Sequence, residues 1–404
     1  MSRSDSPSLY QLLDPEVLAD PYPLYARLRS DDPVQWDPYL HAWVVTRYGD
    51  VAEVLRSFNA NRTPPPEKLY ALGMGEFTPI AKVMVKQMLF LDPPEHGRIR
   101  RLATVAFTPR RVEQLRSHIE EIASSLLDEI EGRDSFDVIN EFATVLPGIV
   151  TTEMLGVPAS DHLKLKQWSE TFAEMLGNFQ HNPGRSGAVL RSLEEMLVYF
   201  QDAVRNEAEH PTSGLVHALA TAVVDGDSLT EDEVVANLIV TMVGGQETTT
   251  NLIGNGLLSL LRNPDQLQTL REDPDLVASA VEELLRFESP SQHTARLAPE
   301  DVELGGKSIA KGQAVIAVMG AANRDPDRFA EPDHLDIERT DNQHLAFGWS
   351  SHFCFGAPLA RIEGQVAFEA LLQRLPNIHL DDAPLEWRPN LGLRGLTKLV
   401  VHLT

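Results

Sequence analysis

The chain of 404 residues carries 59 Asp and Glu against 35 Lys and Arg, which gives a formal net charge of −24 at pH 7. Such a charge repels nucleic acid phosphates and anionic lipid, so neither is an expected partner. The single cysteine excludes an intramolecular disulfide framework and any all-cysteine metal site built from this chain.

Residues 1–13 are polar and lack the basic start and apolar run of a secretory signal. No stretch reaches the roughly 18 uncharged apolar residues that a membrane-spanning helix needs. We therefore expect a soluble, cytoplasmic protein. The chain has no internal repeat and no linker rich in Gly, Ser or Pro, so residues 1–404 are expected to form one domain.

In chain order, the pattern first predicts a hairpin from Val34 to Thr46, with Asp37 and Pro38 at its turn. Apolar residues spaced three and four apart predict the main helices, which are 112–130, 191–208, 233–262, 275–287 and 358–375. A second hairpin is predicted at 302–309 and a further strand at 313–318. The expected architecture is mainly α with small β-sheets.

The longest predicted helix begins at a capping box formed by Thr230 and Glu233, and no proline follows until Pro264. It would be about 48 Å long at 1.5 Å per residue. Residues 234–246 carry no charge, which indicates a helix that runs through the core. The two glycines of the segment Gly244–Thr249 indicate either close helix packing or a local opening, in which Thr248 bonds the Gly244 carbonyl beside a ligand groove.

Close to the C-terminus, Cys354 lies in the segment Phe-Gly-Trp-Ser-Ser-His-Phe-Cys-Phe-Gly, residues 347–356, directly before the helix that starts near Pro358. A sulfur at this position faces unpaired backbone N–H groups and the positive end of the helix dipole. Both favour the thiolate over the thiol. A thiolate of this kind is a good ligand for iron.

This segment resembles the haem-binding loop of the cytochrome P-450 superfamily, whose common bacterial form is Phe-Gly-x-Gly-x-His-x-Cys-x-Gly. The resemblance covers nearly the whole chain, through further bacterial motifs in the same order, at Asp20–Pro23, Asp92–His96, Ala322–Pro326 and Arg394–Leu396. It implies the P-450 fold, with the long central helix across the haem, haem b as cofactor and Cys354 as the axial ligand of the iron.

Ser350 departs from the pattern, because the family usually has glycine at this position. If the loop requires a positive φ there, serine adds strain beneath the haem.

The resemblance also implies a set of donors for the two haem propionates. They match His96, Arg100, Arg296 and His352 of this chain. His96 and Arg100 are one helical turn apart and face the same way, which suits two donors that reach one anionic group.

Two further groups of residues match motifs of the family. Glu247 and Thr248 match the acid and alcohol that deliver protons in family monooxygenases. Glu283 and Arg286, three residues apart on one helix face, match a buried pair that a second arginine, here Arg339, completes. We assign this trio a structural role in bracing the loop of Cys354, the alternative being an ordinary solvated ion pair.

Candidate walls of a substrate cavity follow from the resemblance and from apolar content. They are Met84, Met88, Leu89, Phe172, Met175, Phe179, Val240, Thr241, Gly244, Gln292, His293 and Leu393. A stripe of methionine and aromatic residues at helical spacing is also typical of plain core.

The resemblance implies a monooxygenase of secondary metabolism that inserts one oxygen atom from O2 into a largely apolar small molecule. Electrons would come from NAD(P)H through ferredoxin reductase and ferredoxin, because the chain has no flavin or iron-sulfur domain. Arginines concentrated in one short region are the predicted docking site for the acidic ferredoxin, namely Arg98, Arg100, Arg101, Arg110, Arg111 and Arg116. Bacterial relatives act on terpenoids, macrolides, fatty acids, peptides and steroids.

Three alternatives stay open from the sequence. The first is a peroxide-driven enzyme of the same fold, against which the intact Glu247–Thr248 pair argues. The second is a haem-binding sensor or carrier without turnover, which a test for NADPH and O2 consumption separates from an enzyme. The third is a cysteine hydrolase that uses Cys354 and His352, although no orienting Asp or Asn lies nearby in the sequence.

Overall fold

The computed structural model describes residues 7–106, 112–177, 183–209, 211 and 214–403. Helices dominate these residues and the sheets are small, which confirms the predicted fold class. The helices are α1 Pro15–Ala19, α2 Tyr22–Asp31, α3 Tyr48–Ser57, α4 Pro66–Ala71, α5 Thr78–Met84, α6 Glu95–Ala106, α7 Arg116–Asp128, α8 Val145–Leu155, α9 His162–Gly177, α10 Pro183–Glu209, α11 Leu215–Thr221, α12 Glu231–Arg262, α13 Pro264–Glu272, α14 Val277–Phe287, α15 Met319–Ala322 and α16 Ala357–Arg374.

The strands are short. They are β1 Val34–Asp37, β2 Ala42–Val45, β3 Ser135–Asp137, β4 Val223–Val224, β5 Asp227–Ser228, β6 Thr294–Leu297, β7 Val302–Leu304, β8 Lys307–Ile309, β9 Ala314–Ala317, β10 His379–Leu380, β11 Glu386–Trp387, β12 Leu396–Lys398 and β13 Val400–His402. The largest sheet has the order β1-β2-β9-β6, in which β2 and β9 are parallel and the other pairs antiparallel.

Both predicted hairpins and the predicted strand are present as β1–β2, β7–β8 and β9. The five predicted helices are also present, as α7, α10, α12, α14 and α16. Helix α10 begins at Pro183, earlier than the predicted residue 191. Helix α8 had no amphipathic signal, because apolar residues lie on its half-buried side as well as on its buried side, which includes Pro147 and Gly148.

Helix α12 is the element around which the others pack. The predicted capping box is confirmed, because the Thr230 hydroxyl accepts the N–H of Glu233 while the Glu233 carboxylate accepts the N–H of Thr230. The first half of α12 packs in one apolar cluster with α5, α6, α9, α10 and α11, and its last turns pack in another with α7, α13, α14 and α16. The polar residues 244–251 therefore lie where the two clusters meet. Among the described helices, none is both long and apolar enough to cross a membrane.

Candidate active site

The middle of α12 has a stripe that protein atoms leave uncovered. Val240, Gly244 and Thr248 follow each other at four-residue spacing, with Gly244 exposed and the other two half-buried. Apart from its chain neighbours and the adjacent backbone of the helix, no atom lies within 4 Å of the place that a Cβ would take at Gly244. Because most of the helix is enclosed, an uncovered stripe at its centre marks the wall of a cavity.

The two glycines of α12 serve different purposes. A Cβ at Gly245 would lie 2.8 Å from the Thr151 hydroxyl, so this glycine permits close packing against α8. Gly244 faces the cavity, and its carbonyl accepts a hydrogen bond of 2.8 Å from the Thr248 hydroxyl. The helix nevertheless stays α-helical throughout, so the predicted opening consists of an exposed face and not of a break.

The loop of Cys354 turns sharply before α16 begins. Gly348 and Ser350 have φ values of 72° and 59°, in the left-handed region. The N–H of Cys354 donates to the Phe347 carbonyl at 2.8 Å, which closes the loop.

Opposing effects act on the Cys354 sulfur, and the predicted effect of the N–H groups at the start of the next helix is one of them. Burial raises the pKa of the thiol, while the N–H groups of Gly356 and Ala357 and the charges of Arg100 and Arg361 lower it. Burial is the largest of these effects, so the helix N-terminus alone does not hold this sulfur as a thiolate. A cation bound to the sulfur would ionise it.

Ser350 is the strained residue of this loop, because an L-residue with a side chain disfavours its φ of 59°. The left-handed conformation costs roughly 1–2 kcal/mol, whereas glycine loses roughly 0.5–1 kcal/mol to the entropy of the unfolded chain. We expect Ser350→Gly to raise the free energy of unfolding by about 0.5–1 kcal/mol. Urea unfolding measures this, and Ser351→Gly is the matched control, in which glycine should lower stability. If Ser350→Gly lowered the free energy of unfolding as much as Ser351→Gly does, Ser350 would not be strained.

Several cationic or donor side chains gather near β6 and the start of α6. The rings of His96 and His352 stack with centroids 4.0 Å apart. Arg296 is buried, and its Nη1 donates to the Thr294 hydroxyl and the Ala295 carbonyl, both at 3.0 Å. Its buried Nε has no hydrogen-bond partner. Burial lowers the pKa of Arg296 to about 10 and that of His352 to about 3.

Arg62 belongs to the same cluster, and the sequence did not indicate it. Its guanidinium lies over the Phe90 ring at 4.6 Å, and Nη1 donates to the Ala60 carbonyl at 3.1 Å. Burial and, after it, the charge of Arg296 lower the pKa of Arg62 to about 9, while the charge of Asp92 opposes them. Asp92 already accepts the N–H groups of Ala60 and Asn61, at 2.7 and 3.3 Å. The cluster therefore has an excess of positive charge that suits a ligand with more than one carboxylate.

Arg100 connects this cluster with the loop of Cys354. Its Nη2 donates to the Phe353 carbonyl at 2.7 Å, and its guanidinium lies over the Phe355 ring. The charge of Arg100 also lowers the pKa of His96 and of His352. Arg100 thus lies within electrostatic reach of both histidines and of the sulfur.

Other arginines of this region are paired within the protein. Arg98 binds Asp227 and Glu233, and Arg116 binds Glu113 and Gln365. Arg101 is exposed, while Arg110 and Arg111 lie outside the described residues. Arg98 and Arg116 thus have acidic neighbours within the protein, whereas docking of ferredoxin through these arginines stays a prediction.

Glu283 lies at the centre of a buried ion-pair network. Its carboxylate accepts two hydrogen bonds of 2.7 Å from Arg286, one of 3.1 Å from Arg339 and one of 3.1 Å from Asn342. Glu283 and Arg286 are fully buried, so the alternative of a solvated pair is wrong. Arg286 also donates to the Asn323 carbonyl, at 2.9 Å.

Asn323 extends this network toward the loop of Cys354. Its Oδ1 accepts the N–H of Leu345 at 2.7 Å, just before the residues of the loop. The N–H of Asp336 also donates to Glu283, at 2.9 Å. The network thus ties α14 to the segment that leads into the loop.

The acid and alcohol of α12 point to different neighbours. The Thr248 hydroxyl is on the uncovered stripe, whereas Glu247 is buried and forms an ion pair with Arg388 at 2.5 Å. Burial raises the pKa of Glu247, and the charge of Glu170 raises it further, while Arg388 and Lys166 lower it.

The candidate cavity walls fall into separate groups. Val240, Thr241 and Gly244 lie on or beside the uncovered stripe of α12. Among the others, Met88 and Phe172 are buried in the first apolar cluster, while Met84 and Leu89 are half-buried. The Met175 side chain and the whole of Phe179 lie outside the described residues.

The last three candidates are near the C-terminal part of the chain. The Gln292 side chain donates to the Ser289 carbonyl at 2.7 Å and packs against Gly320, so it is turned into the protein. His293 is half-buried; burial of its ring lowers its pKa to about 4, and the ring is hydrogen-bonded to the Leu391 backbone. Leu393 is half-buried, and its backbone forms an isolated bridge with Ser291.

Comparisons with known proteins agree along almost the whole chain. The Biotin biosynthesis cytochrome P450 of Bacillus subtilis (strain 168) is 38% identical over 389 residues, which are 96% of this chain and 97% of that protein. The cytochrome P450 monooxygenase PikC of Streptomyces venezuelae is also 38% identical, over 96% of this chain and 92% of its own length. This chain belongs to the cytochrome P450 family.

A sequence profile and solved structures support the assignment. The profile named Cytochrome P450 matches residues 186–385. A structure of P450BioI in complex with an acyl carrier protein ligated with hexadec-9Z-enoic acid superposes with a TM-score of 0.91 at 36% identity, over 96% of this chain and 99% of that chain. The Bacillus subtilis P450 PksS of the bacillaene polyketide synthase gives a TM-score of 0.86 at 36% identity, over 97% of this chain and 99% of that chain.

The chain is therefore a haem-thiolate monooxygenase with the cytochrome P450 fold. The cysteine-hydrolase and non-catalytic alternatives are wrong. Haem is the cofactor of this family, and the described residues fit it. The half-buried thiol of Cys354 beside the N–H groups of Gly356 and Ala357, the excess of positive charge for two propionates and the unpartnered Nε of Arg296 all match this group.

Arg62 provides a test of the fit that does not depend on activity. Its charge adds to those of Arg296 and Arg100 in the cluster, so Arg62→Leu is expected to release haem faster by about tenfold, since a charge-assisted bond contributes on the order of 1.5 kcal/mol. Transfer of haem to excess apomyoglobin measures the rate. Arg56→Leu, at an exposed arginine of α3, is the control. An unchanged rate in Arg62→Leu would show that Arg62 does not hold the cofactor.

Proposed function

We propose that this cytochrome P450 inserts one atom of O2 into a C–H bond of a largely apolar small molecule. The other oxygen atom leaves as water, with two electrons and two protons. The observation that carries the proposal is the uncovered stripe of α12, where the Thr248 hydroxyl faces a cavity and the acid Glu247 is the adjacent residue. We also propose that residues 1–404 act as one domain.

Haem b, when bound, would supply the iron at which O2 is activated and the substrate is oxidised. Cys354 would be the thiolate ligand, and the N–H groups of Gly356 and Ala357 favour its charge. His96, Arg100, Arg296 and His352 would hold the propionates, with Arg62 as a further donor. The Glu283 network would keep the loop in place.

Proton delivery is assigned to Glu247 and Thr248. The Thr248 hydroxyl donates its proton to the Gly244 carbonyl, which leaves its lone pairs free to accept a hydrogen bond from water in the cavity. Burial raises the pKa of Glu247, so this carboxyl can carry a proton nearer to neutral pH than an exposed glutamate can. The pair thus provides an acid and a relay side by side.

The apolar substrate is supported by the cavity wall, to which α12 contributes Val240 and the backbone of Gly244. The compared proteins act in biotin and polyketide biosynthesis by their names, and one is bound to an acyl carrier protein. We therefore propose that long-chain acyl groups and polyketides be tested first as substrates.

The electron donor is proposed to be a ferredoxin, reduced by NAD(P)H through ferredoxin reductase in the cytoplasm. Of the predicted docking arginines, the exposed Arg101 is the described candidate. The rate at which ferredoxin reduces the protein should fall as the salt concentration rises, because exposed charges are screened within about 8–10 Å. At low salt, Arg101→Glu should be reduced more slowly than the wild type, because the new carboxylate repels the acidic ferredoxin. Equal reduction rates for the wild type and Arg101→Glu at low salt would place the docking site elsewhere.

A spectral screen followed by turnover tests the whole proposal. A substrate that displaces water from the iron shifts the haem band, and the shifted complex should then form hydroxylated product with NADPH, O2 and a surrogate reductase and ferredoxin. Product formed with hydrogen peroxide alone, and none with the electron donor, would instead establish the peroxide-driven alternative.

Thr248 is predicted to control the use of electrons more than substrate binding. In Thr248→Ala, NADPH and O2 consumption should continue while product falls at least about tenfold and hydrogen peroxide rises, because the relay hydroxyl is lost. Thr241→Ala, on the same side of α12, removes a hydroxyl that also bonds a backbone carbonyl four residues earlier and is the control. An unchanged ratio of product to NADPH in Thr248→Ala would remove the relay role.

A further inference from the structure

Glu247 makes its ion pair with a distant part of the chain. Arg388 directly follows β11, and its Nη1 donates to the Glu247 carboxylate at 2.5 Å. The Glu247 side chain is 7% exposed and that of Arg388 is 19% exposed, so water screens the pair little. The carboxylate is thereby held toward the C-terminal hairpin, which consists of β11 and β12.

Arg388 itself is anchored on that hairpin. Its N–H donates to the Gly395 carbonyl at 2.9 Å, and its Nε donates to the Leu396 carbonyl at 3.2 Å. The guanidinium therefore has one side on the hairpin backbone and the other on Glu247. A shift of the hairpin must move the group that holds the acid.

The same segment contains a predicted wall of the substrate cavity. Asn390 donates its N–H to the Arg388 carbonyl at 2.7 Å, and its Oδ1 accepts the N–H groups of Gly392 and Leu393 at 3.1 and 3.0 Å. Its Nδ2 donates to the Ala173 carbonyl of α9 at 3.1 Å. Residues 388–393 are thus linked by one side chain into a single unit that reaches from Glu247 to Leu393.

We propose that Arg388 is a positioning residue that makes proton delivery depend on the substrate. It holds the Glu247 carboxylate on the hairpin, and a substrate that presses on Leu393 moves residues 388–393 and releases the acid toward Thr248. This inference rests on the proposed relay through Glu247 and Thr248. It assigns to Arg388 the control of when that relay operates.

The charges around Glu247 give the direction of the effect. Arg388 and, from α9, Lys166 lower the pKa of Glu247, whereas burial and Glu170 raise it. Without Arg388, burial and Glu170 are opposed by Lys166 alone, so the pKa of Glu247 rises. The limb of the pH profile that reports Glu247 must therefore move to higher pH.

The experiment uses the holoenzyme with a substrate from the spectral screen and a surrogate ferredoxin system. In Arg388→Met, NADPH oxidation without substrate is expected to rise about fivefold, and the Glu247 limb of the pH profile with substrate to move up by about one unit. Arg388→Lys keeps the charge and should restore most of both properties. Lys398→Gln removes an exposed cation from β12 of the same hairpin and should leave both unchanged.

Removing the acid tests whether Arg388 acts through Glu247. In a Glu247→Gln background, adding Arg388→Met should change neither the substrate-free NADPH oxidation nor the pH profile. Effects of Arg388→Met that persist in this background would overturn the inference. The inference would also be overturned if Arg388→Met alone had the substrate-free NADPH oxidation rate and the pH profile of the wild type.

Two further results separate the inference from the proposed function. If the wild type forms no product, or if Thr248→Ala does not alter the product ratio, the proposed relay itself is wrong. If Arg388→Met lacks the carbon monoxide band of the folded holoenzyme, Arg388→Gln replaces it, because the Gln amide can still donate to the hairpin. The same outcomes then decide the inference.

Discussion

Cys354→His is expected to abolish the red-shifted band that the reduced carbon monoxide complex of a thiolate-ligated haem gives, together with all monooxygenase product. Cys354 is the one cysteine of the chain, so no other thiolate can replace it. An imidazole at this position is a neutral ligand and does not supply the electron density that favours cleavage of the oxygen bond. Difference spectra of the reduced protein with carbon monoxide measure the loss.

The control for this variant is Ser351→Ala, which changes an exposed residue of the same loop. It should keep both the band and the activity. A Cys354→His protein that retains the red-shifted band would show that the sulfur is not the ligand. Loss of the band in both variants would show that the loop tolerates no change, and Cys354→Ser would then be compared with Ser351→Thr.

Glu283→Ala is expected to lower the free energy of unfolding by about 3–5 kcal/mol, because it leaves Arg286 buried without its counter-charge. Arg286 is fully buried and would keep hydrogen bonds to carbonyls but lose both bonds to the carboxylate. Loss of stability on this scale is a large fraction of the total for a folded protein. We therefore expect little holoenzyme from this variant at 37 °C and a melting temperature well below that of the wild type.

The matched control is Asp202→Ala on α10. Asp202 and Arg205 are also three residues apart and 3.1 Å from each other, but both are largely exposed. An exposed pair contributes about 0–1 kcal/mol. Equal melting temperatures for Glu283→Ala and Asp202→Ala would mean that the buried network does not support the fold.

Much of the fold could be predicted because its signals are local. The capping box of Thr230 and Glu233 and the apolar spacing of 233–262 predicted α12 correctly at both ends to within a few residues. Helix α8 could not be predicted in this way. Its half-buried side includes Val145 and Ile149, which are as apolar as its buried residues, so the helix has no amphipathic period.

In the candidate site, too, contacts between residues close in sequence could be predicted and contacts between distant residues could not. The bond from the Thr248 hydroxyl to the Gly244 carbonyl joins residues four apart, and it was predicted from helix geometry alone. The ion pair of Glu247 joins residues 141 positions apart, and no pattern around Arg388 indicated it. Arg62 was missed for the same reason, since its place beside Arg296 depends on how β6 packs near residues 59–62.

The sequence by itself determined five of the helices, two of the hairpins and the residues that match the family, because each depends on neighbours along the chain or on an ordered motif. It also predicted an ionised sulfur at Cys354, from the start of the next helix. The tertiary structure adds an opposing effect, because burial raises the pKa of that thiol while the nearby N–H groups and arginines lower it. Solvent exclusion and distant counter-charges set the electrostatics of this site, and both arise only when segments far apart in the chain pack together.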